Sequence, residues 1–358
     1  MKAPLVFFGW GQLLEECFDE LVGLCAVKPD FICDSDATKH GRYLRGVPCI
    51  GVEQLKVLAE PSVVITLRSY WRVVSLLHEC GISDVKAGVF SRAVHKVVQL
   101  RSVDGTPEPH FRSRPSGGRR IAITGASRGL GKEVALYLAA NGFNLLLHAR
   151  RLEHLREVET ACKTFGAQVD CLAGDLGLDV DVERLAEQFQ AVQIDGLINN
   201  AAISPPIVPG NFLDIPRDHF LDCFKVNFLA VQRLTTAVLR QWLPTQRGDV
   251  ITISTDLQGR ADTGAYAVSK AAVDKWILDV ASTLRESPVS LSLVDPGAIA
   301  TDMSGGAGAQ VASAVTGVVL PLMIDLNFNG QFLHAQDFVG LSGPDFSARL
   351  GFVLGHLA

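Results

Sequence analysis

Tyr266 and Lys270 stand four residues apart in YAVSK, a spacing that puts both on one face of a helix. A free tyrosine has a pKa near ~10, so about a thousandth of it is ionised at neutral pH. Bringing it to roughly 7 takes about 4 kcal/mol, which one ammonium at ~4 Å supplies where the effective dielectric is near ~20. Such a pair can protonate an oxygen as a general acid and, in the opposite direction, deprotonate it as a general base. Other polar groups accompany the pair. The apolar run DVITIST (249–255) closes on Ser254 and Thr255, and Asn227 lies within the helical CFKVNFLAVQRL. Alone, each is as ordinary as any surface residue or strand-end hydroxyl.

A second constellation precedes them. The strand IAIT (121–124) runs into Thr124-Gly125-Ala126-Ser127-Arg128-Gly129-Leu130-Gly131 and then into KEVALYLAANG. Glycines at 125, 129 and 131 let the backbone approach a pyrophosphate, whose charge then sits at a helix N-terminus. Such a turn also serves plain strand-to-helix packing, so its place between strand and helix is what gives it weight. Ala173-Gly174-Asp175-Leu176 ends another strand, and IDGLINNAA (194–202) a third, closing on Asn199, Asn200, Ala201 and Ala202.

Positioning these groups takes alternating strands and helices, and the alternation occurs twice. LVFFGWG (5–11) is a strand ending in glycines. Gln12 to Leu24 has helical apolar spacing, FICDSD (31–36) and SVVITL (62–67) read as strands, Val73 to Cys80 as a helix, and VKAGVF (85–90) as a last strand. Residues 101–118, RSVDGTPEPHFRSRPSGG, lose all periodicity and read as a linker. From Arg119 the alternation restarts. The expected organisation is a small Rossmann-like α/β domain over 1–100, the linker 101–118, a larger doubly wound parallel α/β domain over 119–340, and a tail over 341–358.

The 358 residues carry 33 basic and 38 acidic side chains, a net charge of −5, with 48% hydrophobic residues. No excess of Lys and Arg exists to displace counterions from nucleic acid, and the apolar content excludes global disorder. Eight scattered cysteines without C-x-x-C pairs read as buried thiols in a reducing compartment rather than as disulfides or a zinc site. MKAPLVFFGWGQ is too short an apolar patch for a signal segment. The uncharged stretch between Asp302 and Asp325 is long enough to span a bilayer, but its glycines, polar residues and Pro321 read instead as a loop feeding a buried helix. A cytoplasmic protein with no membrane span, no metal and no nucleic-acid partner is expected.

Five segments in order, TGASRGLG, AGDL, INNAA, the helix asparagine and YAVSK, make residues 119–340 resemble the short-chain dehydrogenase/reductase family in its TGxxxGxG/YxxxK branch. The resemblance implies NAD or NADP on a Rossmann-like sheet and hydride transfer between the cofactor and an alcohol or carbonyl. It implies Tyr266 as acid or base, Lys270 also holding the nicotinamide ribose, and Asn227 positioning a proton-relay water. It further implies cofactor contacts from Gly125, Ser127, Arg128, Gly129, Leu130, Gly131, Asp175, Leu176, Asn200, Ala201, Ala202, Tyr266 and Lys270. LVDPGAIATDM (293–303) resembles the family's PG motif, with Pro296, Gly297 and Thr301 framing the nicotinamide carboxamide and SGGAGAQ following as a lid. A homodimer or homotetramer is the implied assembly.

One departure stands out: where the family's strand ends in two serines, this chain has Ser254 and then Thr255, and either can be the hydroxyl that meets the substrate oxygen. Cofactor choice turns on charge. No carboxylate follows NLLLHA (144–149); Arg150 and Arg151 do, with Arg128 inside the glycine turn. Guanidinium groups suit the 2′-phosphate of NADP better than the free ribose of NAD. Asp256, Gln258, Arg260 and Asp262 between Thr255 and Tyr266 suggest a polar, sugar-like substrate, although they can equally face water. In the first domain, Gly9-Trp10-Gly11 and Asp34 imitate a nucleotide-binding turn, with Leu14 where a third glycine would stand. GRYLRGVPCIGVEQL (41–55) loosely resembles the small Rossmann-like domain fused to bacterial polysaccharide-biosynthesis enzymes, which implies a nucleotide or nucleotide-sugar ligand; a degenerate half-unit for dimerisation or rigidity is the competing reading. The expected function is NADP-dependent oxidation or reduction of a sugar-like metabolite in surface-polysaccharide biosynthesis. The alternatives are a nucleotide-sugar dehydratase or epimerase that retains its cofactor, and a non-catalytic NADP-binding scaffold or sensor.

Overall fold

The computed structural model describes residues 3–66, 71–91, 96–103, 113–205, 212–243, 247–256, 264–340 and Leu350. Gln258, Arg260 and Asp262, residues 104–112, and the tail apart from Leu350 and the Gly340 end lie outside them. The described residues divide into two compact units, which meet the expectation of two successive α/β folds.

The first unit is a seven-stranded sheet in the order β3-β4-β2-β1-β5-β6-β7. Its strands are β1 Leu5–Phe8, β2 Phe31–Cys33, β3 Tyr43–Leu44, β4 Val47–Ile50, β5 Ser62–Ile65, β6 Val85–Ser91 and β7 Lys96–Ser102; its helices are α1 Gln12–Cys25, α2 Val52–Leu55 and α3 Trp71–Glu79. The five inner strands run parallel, and β3 and β7 pair antiparallel at the two edges. Apolar clusters cover both faces: Phe7, Leu14, Phe18 and Leu21 on one, Phe8, Leu55, Val74 and Leu77 on the other. Three strands go beyond the sequence reading. β3 and β4 form a hairpin whose turn residues Arg45 and Gly46 both have positive φ, 47° and 76°, the conformation that matches strand twist in two-residue loops. β7 begins before the aperiodic stretch and takes in its first two residues.

The second unit is a parallel seven-stranded sheet in the order β10-β9-β8-β11-β12-β13-β14. The strands are β8 Arg120–Ile123, β9 Asn144–Ala149, β10 Val169–Ala173, β11 Gly196–Asn199, β12 Gly248–Ile253, β13 Val289–Asp295 and β14 Phe332–His334. The helices are α4 Gly129–Ala140, α5 Arg156–Thr164, α6 Asp179–Ala191, α7 Arg217–Phe224, α8 Ala230–Trp242, α9 Gly264–Thr283 and α10 Val311–Met323. Every residue of β12 and β13 is buried, as expected where helices cover both faces of a parallel sheet. The strand order reverses between β8 and β11, so a crevice opens at the carboxyl ends of those strands. α10 has thirteen residues, and no described helix is long and apolar enough to cross a membrane. All eight cysteines are free thiols.

The amino end of this unit is tied down by charge. Arg114 and Arg119 both reach the buried carboxylate of Asp249 at the start of β12, and Arg119 lies 4.9 Å over the Phe143 ring. The backbone N–H of Arg114 donates to Met323 O at 2.7 Å. Residues 113–118, which the loss of periodicity assigns to a linker, therefore pack against this sheet.

Candidate active site

At the switch point the backbone closes so tightly that only glycine fits. A Cβ on Gly131 would lie 2.3 Å from Gly125 O and 2.6 Å from Asn200 Nδ2, and one on Gly125, at φ +67°, would lie 2.9 Å from Ala201 Cα. Asn200 is what fills that space. Its Nδ2 donates to Thr124 O at 2.9 Å and Gly125 O at 3.1 Å, while the N–H groups of Asn200 and Ala201 donate to Thr124 Oγ1 at 3.0 and 3.1 Å. The ends of β8 and β11 are thereby joined. Leu130 is buried and Ser127 and Ala202 half-exposed. Arg128 is the N-cap residue of α4 and provides no side-chain cap, so the first-turn N–H groups keep their positive end for an anion.

These residues fit a dinucleotide. The uncapped N-terminus of α4 would hold the pyrophosphate, and the exposed Arg128 and Arg150 are donors of the kind a phosphate attracts. The Arg128 guanidinium donates to Asp302 Oδ2 at 2.6 Å, and Arg151 pairs with Glu153. The half-buried Asp175 Oδ1 accepts from Gly177 N–H at 2.9 Å, two residues on, beside the buried Leu176. Thr301 Cγ2 is the nearest atom, at 3.4 Å, to a Cβ built on Gly129, so the PG segment abuts the glycine turn. In that segment Gly297 has φ +74° and Gln336 Nε2 donates to Pro296 O at 2.8 Å.

The acid–base groups converge on the carboxyl end of β12. Lys270 is buried, and its Nζ donates to Ile253 O at 2.6 Å and lies 5.9 Å from the Tyr266 ring centre. Asn227 is wholly buried in a π-helical turn, Lys225–Leu229, between α7 and α8, a widened turn frequent at functional sites. Its Oδ1 accepts from Ile203 N–H at 2.9 Å, and its Nδ2 donates to Ile203 O and to Ser269 Oγ at 2.9 and 3.0 Å. Ser269 Oγ in turn donates to Tyr266 O at 2.7 Å. α9 can begin just before Tyr266 because Gly264, at φ +55°, leaves room for Ile215.

The two hydroxyls part company. Ser254 Oγ donates to the buried Asp274 Oδ2 at 2.6 Å, so it is directed into α9. Thr255, the next residue, is also buried just beyond the carboxyl end of β12. The electrostatics correct a simple picture of a phenol acidified by its lysine. Burial, with the carboxylates of Asp295 and Asp274, pushes the Tyr266 phenol above its ordinary value, and burial brings the Lys270 ammonium down to about 8. The ammonium faces the Ile253 carbonyl rather than closing on the phenol, and desolvation outweighs attraction. Tyr266 is accordingly a neutral proton donor at neutral pH. Asp295, whose Oδ1 accepts from Gly297 N–H at 2.9 Å and whose Oδ2 lies 3.3 Å from His334 Nδ1, is a site-shaping acid that motif reading misses. Ser269 and Asp274 are further site-shaping residues; Ser269 lies inside YAVSK, and Asp274 is signalled only by its four-residue offset from Lys270.

In the first unit, the carboxylate of Asp34 accepts from Trp10 N–H at 2.6 Å and Asp36 N–H at 2.8 Å, with Lys39 Nζ at 3.2 Å. The acid that would grip a ribose in a nucleotide-binding turn is engaged by that turn's own Trp10 N–H and by its own loop.

Comparison with known proteins bears on the second unit. Residues 119–312, more than half of the chain, match the family model for short chain dehydrogenase. A very-long-chain 3-oxoacyl-CoA reductase of Aspergillus niger is 33% identical over 60% of this chain and 64% of its own. The chain thus spans less than two thirds of that relative's length. A short chain dehydrogenase structure from Pseudomonas syringae, 30% identical, superposes with a TM-score of 0.58 over 64% of this chain and all of its own. Another from Shigella flexneri, complexed with NADP, is 25% identical with a TM-score of 0.56 over 61% of this chain and 97% of its own. With the glycine turn, the parallel sheet and the Tyr266–Lys270 helix in place, the chain belongs to the short-chain dehydrogenase family of NAD(P)-binding oxidoreductases.

Proposed function

We propose that the second unit reduces a ketone with NADPH, and oxidises the corresponding alcohol in reverse, on substrates that carry an apolar chain such as a 3-oxoacyl group. The observation that carries the reading is the convergence of Asn227, Tyr266 and Lys270 on the end of β12, beside Thr255. Bound NADPH would supply the hydride. Thr255 orients the carbonyl oxygen and Tyr266, neutral at working pH, gives it the proton. Lys270 and the Asn227–Ser269 link hold the Tyr266 turn in place. Preference for NADP is supported by Arg128 and Arg150 at the edge of the glycine turn and by the absence of a carboxylate at the end of β9. A guanidinium recognises the 2′-phosphate through charge-assisted hydrogen bonds.

Leu213, in the turn before α7, and Met303, at the end of the PG segment, are exposed apolar side chains, and the Aspergillus relative is named for an acyl-CoA substrate. Both favour an acyl chain over a sugar. Turnover of NADPH against a panel of 3-oxoacyl thioesters, keto sugars and nucleotide-linked keto sugars tests the reading. Consumption with the thioesters and none with the sugars is the expected result; the reverse would return the sugar-like substrate.

A further inference from the structure

The geometry points to Asp274 as a positioning residue of this site: its buried carboxylate, anchored by Ser254 and one helical turn beyond Lys270, is the counter-charge that keeps the Lys270 ammonium charged against the end of β12. Two residues four apart on α9 grip two successive residues of the strand. Lys270 Nζ donates to Ile253 O at 2.6 Å and Asp274 Oδ2 accepts from Ser254 Oγ at 2.6 Å. Thr255 is the next residue along the chain. Residues four apart on a helix are neighbours, about 5–6 Å between their Cβ atoms, and both side chains are buried, Lys270 at 2% and Asp274 at 6% exposure.

A carboxylate on the buried face of a helix is costly unless it is paired. Here Oδ2 accepts from the Ser254 hydroxyl, and the carboxylate charge acts on the neighbouring ammonium. The other groups facing Lys270 supply no comparable charge. Tyr266 is held neutral on α9, and burial raises the Cys223 thiol of α7 to about 11. β12 presents the uncharged Ile253 carbonyl, and Asp295 of β13 acts on Tyr266. Of the charges that bear on Lys270, the Asp274 carboxylate is the largest favouring the ammonium, and burial opposes it. The assignment rests on Lys270 serving the hydride-transfer site, but its test needs no substrate.

The full chain labelled with 13C at the lysine ε-carbons is titrated by NMR, with Lys270→Met identifying the Lys270 signal. In the unmodified chain that signal titrates well below the exposed lysines. Asp274→Asn, which keeps the shape and removes the charge, is expected to lower its midpoint by about one unit or more, and Asp274→Glu to restore most of the difference. Should Asp274→Asn fail to fold, Asp274→Ser gives the same reading. A midpoint unmoved by the neutral variants overturns the assignment, as does a Glu variant that titrates like the Asn one. A role in packing alone would lower the melting temperature without moving the titration. Failure of the unmodified chain to bind NADPH, read separately by the fluorescence of the nucleotide, would count against the proposed function and leave this result standing.

Discussion

Replacing Gly131 with alanine places a methyl group where the glycine turn has no room. The added Cβ would stand 2.3 Å from Gly125 O and 2.6 Å from Asn200 Nδ2, against about 3.5–4.0 Å for comfortable non-bonded contact. The backbone carbonyl cannot swing away like a side chain, so α4 must lift or Asn200 must leave. If Asn200 leaves, its bonds to Thr124 O and Gly125 O are lost, about 1 kcal/mol each. Strain from overpacking adds about 1–3 kcal/mol, while alanine's better helix propensity returns about 1 kcal/mol. The net loss is about 2–4 kcal/mol, which for a unit of this size lowers the melting temperature by about 5–12 °C. Because the same turn carries the pyrophosphate, the Kd for NADPH should rise by about tenfold or more as the helix N-terminus shifts. Thermal unfolding followed by circular dichroism, with NADPH binding by fluorescence, reads both effects. A Gly131→Ala protein as stable as the parent, with unchanged NADPH affinity, would refute the claim that this glycine is required by close approach.

Two further outcomes follow from charge. Arg128→Ala removes a guanidinium whose exposed pairing with Asp302 contributes at most about 1 kcal/mol to folding; the melting temperature should hardly move, while the Kd for NADPH rises about tenfold and that for NADH stays constant. Equal losses for both nucleotides would place Arg128 away from the 2′-phosphate. Lys270 gives opposite signs for activity and stability. Its proton leaves the folded protein near pH 8 but stays on the unfolded chain to near ~10.4. NADPH-dependent reduction should therefore decline as pH rises through about 8. Over the window from about 8 to ~10.4 the unfolded state binds more protons, so this residue's contribution to stability rises with pH. Denaturant midpoints in the parent and in Lys270→Met, compared across that window, check the second statement; parallel curves would contradict it.

The larger sheet is legible because a parallel sheet covered on both faces writes itself as unbroken apolar runs, as in VITI of β12 and LSLV of β13. The glycine turn and the Tyr266–Lys270 pair are legible because close approach and a shared helix face impose fixed spacing. Two of the three strands that escape are edge strands. β3 has two residues, and its turn uses Arg45-Gly46 where Asn-Gly would have announced a hairpin. β7 pairs antiparallel, and its end runs into the aperiodic stretch, so composition draws the boundary inside it. Within the site, the partner of the Ser254 hydroxyl is Asp274, on a helix twenty residues later, which no strand pattern announces. The state of Tyr266 escapes for a related reason: spacing reports that a lysine is near, while burial and two distant carboxylates determine the balance.

In the proposed reaction Tyr266 delivers the proton while other residues hold the nucleotide. Tyr266→Phe removes one hydroxyl and little else, so single-turnover oxidation of bound NADPH in the presence of a 3-oxoacyl thioester isolates its role. NADPH affinity is expected within a fewfold of the parent and hydride transfer slowed by at least about a hundredfold, the scale of general acid catalysis. A Tyr266→Phe protein that binds NADPH and transfers hydride at the parent rate would contradict that role.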